Sequence, residues 1–320
     1  MFFEGSEKKV EIIFNKQCQP LRVKREFWKQ VVAEAQADIL STINGPMCDA
    51  YLLSESSLFV YDHAVIMITC GQTSLIHAVM TILDMVSPEN VEFLAYERKN
   101  ELYPDLQSSS FEDDANILKE VLPGKILTFG EEGGNQLKLF HLLRNFNPVL
   151  KDVTLELLMH DLDERILGYF QKANNTIENI RDYTGLKGLI PGFQSDDYLF
   201  DPCGYSMNAV KKHAYYTIHV TPEANHSFAS FETNYHFKNN LNDVIKKVLN
   251  VFQPAHFMVV LFEPREKLQS YKLDLGIPAS VESVVDLDCG YRFQFYDFQM
   301  YTQKPNSCNA YKLGKNVATI

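Results

Sequence analysis

The sequence predicts an α+β fold in which two antiparallel sheets, each covered by helices, pack face to face. Three observations lead there. The aromatic content rests on 22 Phe and 16 Tyr against a single Trp, residues that suit the pleated, half-buried surface of a sheet. Strand-length apolar runs outnumber amphipathic stretches along the chain. The two halves also echo each other. Strand, polar interruption, strand and helix over residues 50–86 are matched by an apolar run at 215–220, Thr221-Pro222-Glu223-Ala224-Asn225-His226, a second run at 227–232 and a helix at 240–252. Two such halves bury their apolar faces by stacking sheet on sheet, an internal duplication.

In chain order, the pattern reads as a strand over 9–14 and a helix over 25–41. Asn44-Gly45-Pro46 marks a turn, followed by strands over 50–62 and 64–70. A helix over 73–86 starts at Thr73-Ser74, after Gly71, and carries Leu75, Ile76, Val79, Ile82 and Leu83 on one face. A strand over 91–97, a helix over 113–122 and strands over 125–129, 136–141 and 154–161 come next. A helix over 163–172 and strands over 214–221 and 227–233 precede the helix at 240–252. That helix shows an apolar stripe of Leu241, Val244, Ile245, Val248, Leu249 and Phe252. Strands over 256–262 and 292–301 complete the series. Residues 108–112, 131–135 and 196–197 read as loops. No long linker or low-complexity tract divides the chain, so a single domain over 1–320 is expected.

The formal net charge of −11 over 320 residues argues against nucleic acid as a partner and is compatible with a cationic small molecule. None of the six cysteines forms a CxxC pair, so zinc-finger and thioredoxin-like readings fail and no metal site is expected. Glu4, Glu7, Lys8 and Lys9 break any signal-peptide apolar region at the start, and no apolar run approaches transmembrane length. A cytoplasmic protein with reduced thiols and no membrane partner is therefore expected, with the Asn-x-Ser/Thr matches at Asn174 and Asn225 arising by chance.

One stretch breaks these patterns. In Tyr51-Leu52-Leu53-Ser54-Glu55-Ser56-Ser57-Leu58-Phe59-Val60, four polar residues interrupt an apolar strand. Polar groups there cost stability unless they are paired or used. They read as a strand end or bulge, or as a strained backbone whose serine attacks its own peptide bond. Thr69-Cys70-Gly71 places a thiol just before a helix start, where the helix dipole can lower its pKa; a buried cysteine is otherwise core filler. His219 alternates with apolar neighbours and reads by itself as a core histidine.

Taken together, Phe2-Phe3-Glu4-Gly5-Ser6-Glu7-Lys8, the Leu-Ser-Glu-Ser-Ser island, Thr69-Cys70-Gly71, Pro202-Cys203-Gly204-Tyr205-Ser206-Met207-Asn208, Thr217–Glu223 and Ser230-Phe231-Glu232-Thr233-Asn234 resemble the eukaryotic S-adenosylmethionine decarboxylases, in the same order and over nearly the whole chain. The resemblance implies a four-layer α/β/β/α sandwich with an internal duplication. It also implies a pyruvoyl cofactor made by the chain itself. Ser56 attacks the carbonyl of Glu55, and an ester forms by way of an oxyoxazolidine. Elimination then leaves a β chain, residues 1–55, and an α chain, residues 56–320, that begins with pyruvoyl. His219 is the processing base and Ser206 assists at the oxyoxazolidine. The pyruvoyl group forms a Schiff base with S-adenosylmethionine, CO₂ leaves, and Cys70 protonates the substrate.

By the same resemblance, Phe3 and Phe200 are expected to stack on adenine, Glu223 to bind the ribose hydroxyls, and Leu53 and Glu55 also to contact substrate. Glu4 and Glu7 complete the catalytic set, and Ser57 lines the site. The resemblance further implies that the product is the aminopropyl donor for spermidine and spermine, and that the assembly is a homodimer of αβ units. A non-catalytic paralogue that regulates an active partner is the alternative; this chain has lost none of the processing residues.

A second set, Glu11, Asp152, Thr154, Glu156, Glu232 and Phe262, matches positions that bind the activator putrescine in animal members. Ile68 and Ala95 depart from that pattern, where a lysine and an aromatic residue are usual. Clustered carboxylates need a cation. Either the diamine supplies it, or an internal salt-bridge network with Lys8, Arg98 or Lys99 does.

Overall fold

The computed structural model describes residues 5–300 except 174, 187, 224, 238, 239, 268 and 269. Phe3 and Glu4, both expected at the site, lie outside the described residues.

The first half contributes eight strands: β1 Lys8–Phe14, β2 Ile39–Asn44, β3 Asp49–Leu53, β4 Ser56–Val60, β5 Ala64–Thr69, β6 Val91–Lys99, β7 Gly124–Phe129 and β8 Leu137–Leu142. The second half contributes β9 Thr154–His160, β10 Gln194–Leu199, β11 Tyr205–Lys211, β12 Ala214–Thr221, β13 Phe228–Thr233, β14 His256–Pro264, β15 Val281–Asp286 and β16 Tyr291–Gln299. The sheet orders are β2-β3-β4-β5-β1-β6-β8-β7 and β10-β11-β12-β13-β9-β14-β16-β15. Adding eight to every strand of the first sheet gives the second, so the duplication holds strand for strand. All pairings are antiparallel.

Helices cover the outer faces. Helices α1 Arg25–Glu34, α2 Leu75–Val86 and α3 Phe111–Val121 pack on the first sheet, over Val10, Ile12, Leu58, Met67 and Leu94. Helices α4 Glu164–Leu167, α5 Ile177–Thr184 and α6 Leu241–Phe252 pack on the second, over Leu157, Met207, Ile218 and Phe231. Alternation sends the other face of each strand inward. The layer between the sheets is apolar at both ends. Phe93, Leu139, Met258 and Phe295 fill one end, and Ile43, Phe59, Ile66 and Val210 the other. Polar residues occupy its middle, and the site lies there.

Several expectations are corrected. The helix expected over 25–41 stops at Glu34, and residues 39–44 form β2. Residues 50–62 are not one strand: Ser54 and Glu55 form a turn between β3 and β4. The helix expected over 163–172 is a short α4 followed by a 3-10 turn, Gly168–Phe170. Residues 196–197, read as loop, lie within β10. Strands β2, β10 and β15 escaped the reading for one physical reason. Each is a sheet edge carrying Ser, Thr, Asn, Asp or Glu, which blunt an edge against further pairing and also erase its strand signal. Helix α5 was also missed, as was the inner strand β11, whose inward positions include the polar Ser206 and Asn208.

Candidate active site

The turn between β3 and β4 faces a cavity of about 290 Å³ lined by Ser54, Glu55, Ser56, Cys70, Phe200, Ser206, His219 and Glu223, with residues 201–205 and 220–222. The expected residues of both halves thus meet at one place. Ser56 and Cys70 come from the first sheet, and Ser206 and His219 from the second. Ser206 and His219 are cross-strand partners on β11 and β12.

Ser56 has φ +111°, in a region that a residue with a Cβ seldom adopts. Strict alternation would send Ser56 outward with Leu58 and Val60, and Ser57 inward with Phe59. Instead both serines reach the layer between the sheets: Ser56 lines the cavity and Ser57 meets His219. The left-handed backbone at the first residue of β4 breaks the alternation. The Ser56 hydroxyl donates to Cys70 Sγ at 3.3 Å. The carbonyl of Glu55, the group just before Ser56, accepts from the backbone N–H of Cys70 at 3.3 Å.

His219 is held at both nitrogens. Nδ1 lies 2.8 Å from Glu7 Oε1, which also accepts from the Ser230 hydroxyl at 2.6 Å. Nε2 lies 2.8 Å from Ser57 Oγ and 3.0 Å from Thr217 Oγ1. Of the two adjacent serines, His219 contacts Ser57, next to the one it is expected to serve. An ionised carboxylate only accepts, so the Glu7 contact selects the tautomer with the proton on Nδ1.

The thiol of Cys70 differs from the sequence expectation. Helix α2 begins only at Leu75, beyond the reach of its dipole. Burial, and then the nearby Glu55 carboxylate, push the thiol up rather than down. Cys70 therefore keeps its proton at neutral pH. Burial likewise raises Glu55 to about 7, opposed by Lys8. Lys8 is buried; its ammonium donates to the carbonyls of Gly71 at 3.2 Å and Thr73 at 2.6 Å, and burial lowers it to about 8. These two bonds fix the turn that carries Cys70. Leu53 packs under the helices, and its backbone pairs with Ser56.

The acidic set forms a second cluster in the same layer. Its cation is Lys9, which none of the alternatives named. Lys9 Nζ lies 2.5 Å from Glu156 Oε1 and 3.1 Å from Glu232 Oε2, all three side chains buried. Burial pulls Lys9 down, but Glu156, Glu232, Glu97 and Glu11 outweigh it and hold the ammonium well above its usual value. Lys8, Arg98 and Lys99 are engaged elsewhere: Arg98 binds Glu101 and Asp114, and Lys99 approaches His160. Tyr215 donates to Glu232, and Tyr291 donates to Asp152 at 2.6 Å. Thr154 and Phe262 are cross-strand partners. Lys9 was legible in principle, since it alternates with Glu11 on β1 and with Glu7 just before it, as Thr217 alternates with His219 and Ser230 with Glu232.

The cluster makes stability depend on pH. Burial raises Glu11 from 4.5 to about 8 and Glu232 from 4.5 to about 7, against the pull of Lys9. A carboxyl raised on folding binds more protons folded than unfolded, so its stabilisation is lost as pH rises through the folded value. His160, lowered by burial, acts in the opposite sense only below its ordinary 6.5. The unfolding temperature should therefore fall by several degrees between about pH 6.5 and about pH 8. Glu11→Gln should flatten that slope in a thermal-shift series.

Fold and site together define a duplicated sheet-on-sheet sandwich with a strained serine turn buried between the layers. The chain belongs to the adenosylmethionine decarboxylase family, whose model matches residues 1–306. It is similar to the S-adenosylmethionine decarboxylase proenzyme of Dictyostelium discoideum, at 33% identity over 96% of this chain and 88% of that protein. It is also similar to the proenzyme of Ipomoea batatas, at 35% identity over 85% of this chain and 83% of that one. Among solved structures it resembles the Trypanosoma brucei AdoMetDC-delta26 monomer. The TM-score is 0.61 at 26% identity, covering 77% of this chain and 99% of that chain.

Proposed function

We propose that this chain cuts itself between Glu55 and Ser56, turns Ser56 into a pyruvoyl group, and decarboxylates S-adenosylmethionine. One observation carries the reading: Ser56 sits at φ +111°, with the preceding carbonyl held by the N–H of Cys70. A backbone of this kind costs of order 1–3 kcal/mol and persists where function uses it. Attack of Ser56 Oγ on the Glu55 carbonyl carbon puts charge on the carbonyl oxygen, where that N–H already points. Collapse breaks the C–N bond and leaves an ester with a free amine on residue 56. Loss of the Cα proton of residue 56 to His219 expels the Glu55 carboxylate from Cβ and leaves dehydroalanine. Water then displaces the nitrogen as ammonia. The β chain would be residues 1–55 and the α chain residues 56–320. Ser206, opposite His219, would assist the first step.

The pyruvoyl carbonyl supplies the electron sink that decarboxylation of an α-amino acid needs. Cys70, holding its proton in a buried setting, is suited to return a proton to the substrate carbon. Phe200 and Glu223 sit at the cavity wall, suited to the adenine ring and the ribose hydroxyls, and Phe3 is assigned to the other face of the adenine. Glu223→Ala should raise KM by about tenfold or more with kcat little changed, because hydrogen bonds to a carboxylate contribute about 1.5–3 kcal/mol each. A fall in kcat alone would contradict the assignment.

We infer that Lys9 supplies the positive charge that putrescine supplies in animal members, so this chain works without the diamine. Support comes from its position between Glu156 and Glu232, two residues along β1 from Glu7, which holds His219. The product's use in spermidine and spermine synthesis, a cytoplasmic site and a homodimer of αβ units belong to the same proposal. Carboxyl-labelled S-adenosylmethionine tests the activity. Labelled CO₂ should be released, and treatment with cyanoborohydride in the presence of substrate should abolish turnover. No release from a fully cleaved preparation would overturn it.

A further inference from the structure

We propose that Asn208 is a positioning residue for self-processing: its side-chain oxygen offers the hydroxyl protons of Ser57 and Thr217 an acceptor other than His219 Nε2, so that a hydroxyl rotation uncovers the Nε2 lone pair to act as base. The inference rests on the reading of Ser56 as the self-cleaving serine.

Asn208 is fully buried on the inward face of β11, and nothing in its sequence context explains an amide there. Its Nδ2 donates to the carbonyl of Tyr51, on β3 of the opposite sheet, at 3.1 Å. A carbonyl oxygen can only accept, so the amide must present its NH₂ there, which turns Oδ1 toward the site. Oδ1 then lies 2.7 Å from Ser57 Oγ and 2.9 Å from Thr217 Oγ1. The same two hydroxyls lie 2.8 Å and 3.0 Å from His219 Nε2.

The proton count follows. Nδ1 of His219 is protonated toward Glu7, so neutral His219 has one lone pair, on Nε2. Each hydroxyl has a single proton. The amide oxygen has two lone pairs, so either hydroxyl can turn its proton from Nε2 to Oδ1. Nε2, once it has taken the Cα proton, donates back to the Ser57 oxygen. Thr217 has a further acceptor in the Met207 carbonyl at 3.0 Å. Without the amide oxygen, Nε2 becomes the remaining close acceptor for Ser57, and the base is capped by its own neighbour. The step that suffers is the elimination. The Cα proton of residue 56 must pass to Nε2 while the Cα–H electrons form the Cα=Cβ bond and the Cβ–O bond breaks to release the Glu55 carboxylate. Ester formation does not draw on Nε2 in this scheme and survives.

The test follows processing of the freshly made full chain on denaturing gels, with and without hydroxylamine. Hydroxylamine attacks the Glu55 ester carbonyl, forms a hydroxamate there and frees the Ser56 hydroxyl, so it cuts an ester but leaves a peptide bond intact. Asn208→Ala should form the pyruvoyl chain about tenfold more slowly or worse, and its accumulated full-length chain should be cut by hydroxylamine. Asn208→Asp keeps an acceptor oxygen and should process faster than Asn208→Ala. A second measurement avoids changing Asn208. In Ser56→Ala, with labelled histidine, the ring nitrogen signals of His219 should show a protonated Nδ1 and a bare Nε2.

The proposal is overturned if Asn208→Ala processes at the unmodified rate or resists hydroxylamine when stalled. It is equally overturned if Asn208→Asp does no better, or if Nε2 is protonated in Ser56→Ala. If the unmodified chain itself never splits, the reading of Ser56 fails instead, and the two failures are told apart.

Discussion

Ser56→Ala should leave one uncut chain of 320 residues, with CO₂ release at background. The size of the effect follows from the role proposed for this atom. Ser56 Oγ is both the nucleophile for the chain break and the source of the catalytic carbonyl, and no neighbouring group replaces it. Ser57 Oγ, one residue on, is committed to Asn208 and His219. The variant should still fold. The Ser56 side chain makes one hydrogen bond, to Cys70 Sγ, and losing a bond of that kind costs about 1 kcal/mol. An unfolding temperature within a few degrees of the unmodified chain would show that lost chemistry, not lost structure, explains the result. A Ser56→Ala chain that still separates into two pieces would contradict the proposal.

Lys9→Ala should have the largest effect on stability and should create a dependence on added diamine. The substitution leaves Glu156 and Glu232 buried without their cation, and breaking a buried pair from one side costs about 3–5 kcal/mol. The carboxyls can respond by taking up protons, so the loss should be greater on the alkaline side. Putrescine added at millimolar concentration should recover part of the unfolding temperature and part of the processing rate, because a ligand that binds only the folded state stabilises it by mass action. The unmodified chain should respond to putrescine in neither measurement. A putrescine-activated unmodified chain, or a Lys9→Ala chain indifferent to the diamine, would contradict the assignment of Lys9.

Much of this was legible in the sequence, and the gaps have physical causes. The sheet-on-sheet class and the duplication could be read because most inner strands, β11 excepted, and the two long helices, 75–86 and 241–252, carry strong periodic patterns. Edge strands β2, β10 and β15 could not, because the residues that protect an edge also remove the alternation. The island at Ser54–Ser57 stood out as a polar interruption, but its turn and the left-handed backbone of Ser56 are tertiary properties. Cys70 was misjudged in one respect. Its distance from a helix start can be read along the chain, but its burial depends on the opposite sheet and decides the direction of its titration. Lys9 was passed over because a lysine in an acidic, polar-looking segment reads as surface until the second sheet is laid over it.

The intact masses of the purified protein under denaturing conditions test the central claim most directly. The account predicts two chains, residues 1–55 ending at a Glu55 carboxylate and an α chain from position 56 whose first residue has the mass of a pyruvoyl group in place of serine. One uncut chain, or a break elsewhere than Glu55–Ser56, would contradict it.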